Sequence, residues 1–127
     1  MPQDPFVLTS VGLNWLLSRL KGQGVPISHM AIGIGSTSPA STDTALDNEI
    51  ARVPLTNPGG TILGDSMVFD AEYPIGVGIG TVMEAGLFDA PAGGNLIARC
   101  LKGPYLKDNA TGLSLTMTIQ IQSIATP

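Results

Sequence analysis

Residues 113 to 122, LSLTMTIQIQ, alternate without a break: Leu113, Leu115, Met117, Ile119 and Ile121 against Ser114, Thr116, Thr118, Gln120 and Gln122. A period of two sends successive side chains to opposite faces of a strand, and no helix satisfies it. The polar face carries no charge, and no Lys, Arg, Asp or Glu follows Asp108. An uncharged strand of this length left at a sheet edge invites pairing with other chains. Its expected place is therefore the centre of a sheet, or an edge covered by another subunit.

Other stretches follow the same rule. In SMVFDAEYP, Met67, Phe69, Ala71 and Tyr73 face one way while Val68, Asp70 and Glu72 face the other, as in a half-buried strand. TVMEAGLFD and NLIARCLKG are apolar runs joined by APAGG, which reads as a hairpin. After Pro26, ISHMAIGIG reads as a strand with Met30, Ile32 and Ile34 on one side. ARVPL is a brief extended piece, and NPGG, residues 57 to 60, a turn. Gly76, Gly78 and Gly80 recur at every second residue, which predicts a loop or a close approach of backbones.

Helical spacing is clearest over residues 6 to 21, FVLTSVGLNWLLSRLK. Leu13, Leu16, Leu17 and Leu20 share one face, expected to pack on a sheet, with Val11 and Trp15 near its margin. Thr9 or Ser10 can cap the start, because a hydroxyl accepts from the free N–H groups of the first turn. Arg19 and Lys21 suit the C-terminal end, and Gly22 or Gly24 ends the run. The polar face lacks the lysines and arginines of a membrane-surface helix. In STSPASTDTALDNEIAR a loop is expected, followed by a short helical turn capped by Thr42 or Asp43 and running through Leu46 and Ile50. The expected architecture is α+β, mainly β: a single domain over 1–127, with an antiparallel sheet or sandwich and the N-terminal helix packed on it.

Composition narrows the partners. Hydrophobic residues make up 43% of the 127 residues, but charged residues only 13%, about half the usual share. Mean hydropathy is +0.29. Such a surface is covered by Ser, Thr, Asn, Gln and Gly, or hidden against neighbouring subunits, so a homo-oligomer or symmetric multi-copy assembly is expected. The net charge is −4 and the six Lys and Arg are scattered, so nucleic acid is not an expected partner. No apolar run approaches the ~20 residues of a membrane span. The N-terminus, MPQDPFVL, has no basic region of a secretory signal. One cysteine, Cys100, excludes an internal disulfide and a multi-cysteine metal site.

Candidate chemistry is sparse. GIGSTS, residues 33 to 38, opens like a dinucleotide fingerprint but leads into a Ser/Thr/Pro loop rather than a helix N-terminus, so no cofactor is expected. His29 is the single histidine, and a nucleophile–histidine arrangement would have to use it, with Ser66 or an aspartate. Ser66 stands in GDSMV, without the following glycine of a nucleophile elbow. Cys100 reads as a small apolar core residue. Asp70 and Glu72 fit the solvated side of a strand. Asn109-Ala110-Thr111 matches a glycosylation sequon, with nothing else to indicate secretion. No local spacing of His, Asp and Glu supplies a metal site. Glu84 heads EAGLFDAPAGGNLIAR with no partner base beside it; its expected role is to satisfy backbone N–H groups or an arginine, Arg52 or Arg99. Catalytic residues: none expected.

Four segments in order carry a resemblance. FVLTSVGLNWLL, the strand ISHMAIGIG, the segment TALDNEIAR and the hairpin EAGLFDAPAGGNLIAR together resemble the N-terminal attachment domain of tail-collar fibre proteins of contractile-tailed phages. The match runs from about residue 7 to residue 99. It implies a non-enzymatic virion structural protein, assembled in the host bacterial cytoplasm. Expected partners are other phage virion proteins (baseplate, tail tube, fibre or capsid subunits), and the expected location is the tail or baseplate where fibres attach. Fibre proteins of this kind continue into a shaft and receptor-binding tip, whereas this sequence has one further strand, which suits an adaptor. The alternatives are a head decoration (cement) or neck protein and, from another class, a small hydrolase using His29.

Overall fold

A computed structural model describes residues 6–120, Phe6 by its backbone alone. Strands β1 (Phe6–Leu8), β2 (His29–Gly33), β3 (Glu49–Pro54), β6 (Gly80–Phe88) and β7 (Leu96–Lys107) form an antiparallel sheet in the order β1-β7-β6-β2-β3. Strands β4 (Thr61–Leu63), β5 (Ser66–Tyr73) and β8 (Leu113–Gln120) form a second antiparallel sheet in the order β4-β5-β8. With one helix among the described residues, α1 (Ser10–Leu20), the chain is α+β and mainly β.

The alternation in SMVFDAEY places its apolar half inward. Phe69, Ala71 and Tyr73 are buried with Leu115 and Met117 from β8, against Met30, Ile32, Val82, Leu87 and Ile97 of the larger sheet. The Tyr73 hydroxyl donates to the Met30 carbonyl across the two sheets at 2.6 Å. Burial pushes its phenol well above the ordinary tyrosine range, and the Glu49 carboxylate adds to this. Beyond β3 the chain crosses to the second sheet: Thr56 N–H donates to the Asp70 carbonyl at 2.8 Å, and the Asn57 side chain bonds the backbone of Val68 and Asp70.

The larger sheet is buried on its other face as well. Ala31, Leu46, Phe88 and Leu96 make a separate small core there, roofed by the loop between β2 and β3. A register shift between Val82 and Glu84 breaks the alternation of β6. Val82, Ala85 and Leu87 thereby enter the main core, while Phe88 joins the outer one.

Several expectations are corrected. Residues 6–8 are a strand on β7, not the first turn of the helix; Thr9 is the cap, its hydroxyl accepting from Gly12 N–H at 2.8 Å. The helix ends as expected: Gly22 (φ 82°) follows the C-cap Lys21, Gly22 N–H donates to the Arg19 carbonyl and Gln23 N–H to that of Ser18. Of the expected leucine face only Leu16 is half-buried. Leu13 is 49% exposed, Leu17 54% and Leu20 78%, while Gly12 is the buried residue of α1. A Cβ at Gly12 would run into the Ile97 backbone, so the helix docks on β7 where it has no side chain. Trp15 packs against the main core beside it.

The helical turn expected over Thr42–Ile50 does not form; residues 36–48 are irregular and lead directly into β3. Ile34 lies past β2 and is exposed. The short strand β4 was not foreseen. Among the described residues β8 has one neighbour, β5, so it lies at an edge and not at the centre of its sheet. Ile121 and Gln122, the end of the alternating run, lie outside the described residues. The β6–β7 hairpin forms as read, with β7 continuing to Lys107. The glycine run is a loop and a close approach at once: Gly76, Gly78 and Gly80 all have positive φ, and a Cβ at Gly78 would meet Ala51 and Ile32.

Candidate functional site

Two of the three fully buried charged side chains among the described residues meet on the outer face of the larger sheet; the third, Lys107, donates to the Pro74 carbonyl. Glu84 on β6 and Arg99 on β7 are both fully buried, and the Arg99 Nε donates to Glu84 Oε1 at 3.0 Å. The β2–β3 loop supplies the remaining partners. Glu84 Oε1 also accepts from Asp47 N–H, and Oε2 accepts from the N–H groups of Gly35 and Asn48, each at 2.9 Å. Those bonds fill the acceptor positions of both carboxylate oxygens. No lone pair is left to take a proton from a substrate, so the geometry is that of a latch.

Arg99 closes the latch from the other side. Its guanidinium pairs with Asp43 at 3.1 Å and Asp47 at 3.4 Å, and donates to the Thr37 carbonyl at 2.8 Å. Burial by itself would lower the pKa of Arg99; the hydrogen bond and charge of Glu84, then those of Asp43 and Asp47, outweigh it and raise the value. The aspartates have further support. Asp47 accepts from Thr37 N–H and Asp43 from Ala40 N–H, each at 2.9 Å. The hydrogen bonds of Thr37, reinforced by the charge of Arg99, hold the Asp47 carboxyl below the usual aspartate range. Gly33 and Gly35 leave the room this needs, since a Cβ at either would strike the Glu84 carboxylate. The two glycines of the fingerprint-like GIGSTS thus serve a carboxylate of the chain itself.

Of the two arginines named for Glu84, Arg99 is the partner. Arg52 instead pairs with Glu49 at 2.8 Å, lies 3.6 Å over the Phe88 ring, and donates to the carbonyls of Ala90 and Gly93. It ties the APAGG turn to β3. Asp43 and Asp47 were missed as partners of Arg99, because a Ser/Thr/Pro loop has no periodicity to say which way its carboxylates point.

The remaining candidates lie apart. His29 starts β2 on the larger sheet and shares a 2.7 Å hydrogen bond with the Ser28 hydroxyl. Burial, and then the charge of Arg52, lower its pKa. Ser66 starts β5 on the other sheet, its hydroxyl 3.3 Å from Asp65. No hydrogen bond joins His29 to Ser66 among the described residues. Asp70 accepts from the Thr116 hydroxyl at 2.7 Å, Glu72 is exposed, and Cys100 is buried in the main core. Among the described residues no group of three or more His, Cys, Asp or Glu side chains is arranged to hold a metal ion.

The surface is richer in apolar features than in polar ones. A cleft of about 390 Å³ opens between α1 and the β4–β5 hairpin, lined by Leu8, Trp15, Leu16, Ile62, Met67 and Ile119 among others. Ile34, Ile75 and Ile79 are exposed around the glycine loop. No helix among the described residues is long and apolar enough to cross a membrane. Compared with known proteins, the sequence matches no family model and no curated protein.

Proposed function

We propose that this chain is a non-enzymatic bacteriophage virion structural protein, a tail or baseplate component to which fibres or other tail proteins attach. The observation that carries this reading is the convergence of the four segments behind the family resemblance. Thr9, from the first, donates to the Leu96 carbonyl in the hairpin. Gly35, from the second, and Asn48, from the third, both donate to Glu84, which heads the hairpin. Arg99, the last residue of the fourth, binds Glu84 and reaches back to Asp43 and Thr37. Residues scattered over nearly a hundred positions therefore act as one structural unit, which supports reading the resemblance as one of fold and assembly role.

The surface supports it too. Exposed Leu13, Leu17, Leu20, Ile75 and Ile79 suit a chain that works against other subunits in a multi-copy assembly. Immunogold labelling of purified virions with an antibody to the chain tests the proposal. Label at the tail end is expected; label over the head would move the chain to a decoration role, and unlabelled virions would end the reading.

A further inference from the structure

Among the described residues the two sheets end in four edge strands: β1, β3, β4 and β8. Natural edges are protected by short length, charge, proline or a bulge, since a bare row of N–H and C=O groups templates another strand. Three of the four follow this rule. β4 has three residues, as does the described part of β1. β3 carries Glu49 and Arg52, ends on Pro54, and its register with β2 shifts at Gly33. β8 follows none of it. It has eight residues, no charge and no proline, and an unbroken register with β5 from Leu113 opposite Tyr73 to Gln120 opposite Ser66. The contrast within one molecule singles out β8 as an edge kept open.

We propose that β8 pairs with β8 of a second copy, antiparallel across a twofold axis, so that the two three-stranded sheets become one continuous sheet. This deepens the multi-copy reading above, and rests on it, by naming the surface and its symmetry. A twofold axis sets a strand against itself in the antiparallel sense, the geometry β8 already has with β5. Along the solvent face, the uncharged Ser114, Thr116, Thr118 and Gln120 then meet one another. Such pairs are favourable, and no like charges come opposite. The acidic residues of that face, Asp70 and Glu72, stand on β5. Across the joined sheet the two β5 strands are three spacings apart, ~14 Å. That exceeds the ~8 Å screening length of physiological salt, so these two carboxylates do little to oppose pairing.

Sedimentation of the whole chain over a range of concentrations tests this. The wild type is expected to pass from monomer to dimer as concentration rises. The Ser114→Lys/Thr118→Lys variant should stay at the mass of one chain with the thermal midpoint of the dilute, monomeric wild type, because both positions point away from the core. A Leu13→Lys/Leu17→Lys control should keep the dimer. Hydrogen exchange of the wild type gives a readout free of substitutions: amides of residues 113–118 should become more protected as the dimer fills. A wild-type oligomer that survives the β8 lysines, or dissolves with the helix lysines, overturns the β8 interface while leaving self-association intact. A wild type that remains monomeric overturns both.

Discussion

Two ion pairs separate the electrostatics of this molecule into a strong and a weak class. The Arg52–Glu49 pair has a Glu49 side chain 31% exposed, and pairs of that kind contribute roughly 0–1 kcal/mol. Glu84 and Arg99 have side chains 0% and 1% exposed. Removing Arg99 leaves the Glu84 carboxylate buried without a counterion, while removing Glu84 leaves Arg99 to Asp43 and Asp47 and takes the acceptor from the N–H groups of Gly35, Asp47 and Asn48, each at about 3–5 kcal/mol. Glu84→Ala and Arg99→Ala should each cost that much in urea denaturation, and the double variant clearly less than the sum, since the second change removes the stranded charge. Additive effects would refute the latch. Half of this was legible in the sequence. A lone carboxylate heading an apolar run needs a donor, and two arginines were eligible. What the residues could not say was which arginine stood on the same face, because that depends on the shift between Val82 and Glu84 that sets the alternation of β6.

At the level of the element, α1 shows what periodicity does and does not carry. Spacing put Leu13, Leu16, Leu17 and Leu20 on one face, of which only Leu16 is half-buried, because spacing is silent on which face meets the sheet. Docking was decided by Gly12, whose missing side chain lets the helix backbone close on Ile97. The expected ranking of substitutions is therefore inverted from what hydrophobicity suggests. Gly12→Ala, ordinarily favourable in a helix, should cost about 1–3 kcal/mol through overpacking. Leu17→Ser should stay within about 0.5 kcal/mol, as exposed positions do. Thermal melts of the two variants decide it, and a Leu17 variant that melts well below the Gly12 variant would show that the leucine face packs after all. The strands were read more reliably, because period two in SMVFDAEY and LSLTMTIQ fixes both the element and its buried side. The three-residue strands β1 and β4 are too short to display a period.

For the whole molecule, stability should depend on pH in one direction from neutrality downwards. His29 titrates lower in the fold than in the unfolded chain. Between those two values the unfolded chain binds more protons, so stability falls as pH drops through the window. Asp47 is held low as well, and its contribution is lost in the same direction at more acid pH. The thermal midpoint is expected to decline in two stages. His29→Gln should remove the upper stage and spare the lower; a profile unchanged by that substitution would exclude His29 as its source. The Glu84 latch has a further consequence, in time rather than in space. Its donors Gly35 and Asn48 precede it by 49 and 36 positions, and Thr37 precedes Arg99 by 62. In a chain made from its N-terminus, the loop that roofs the larger sheet leaves the ribosome long before the two residues that fasten it. The roof must wait open until the second strand of the hairpin arrives, and assembly of the outer core is a late event in the life of every copy.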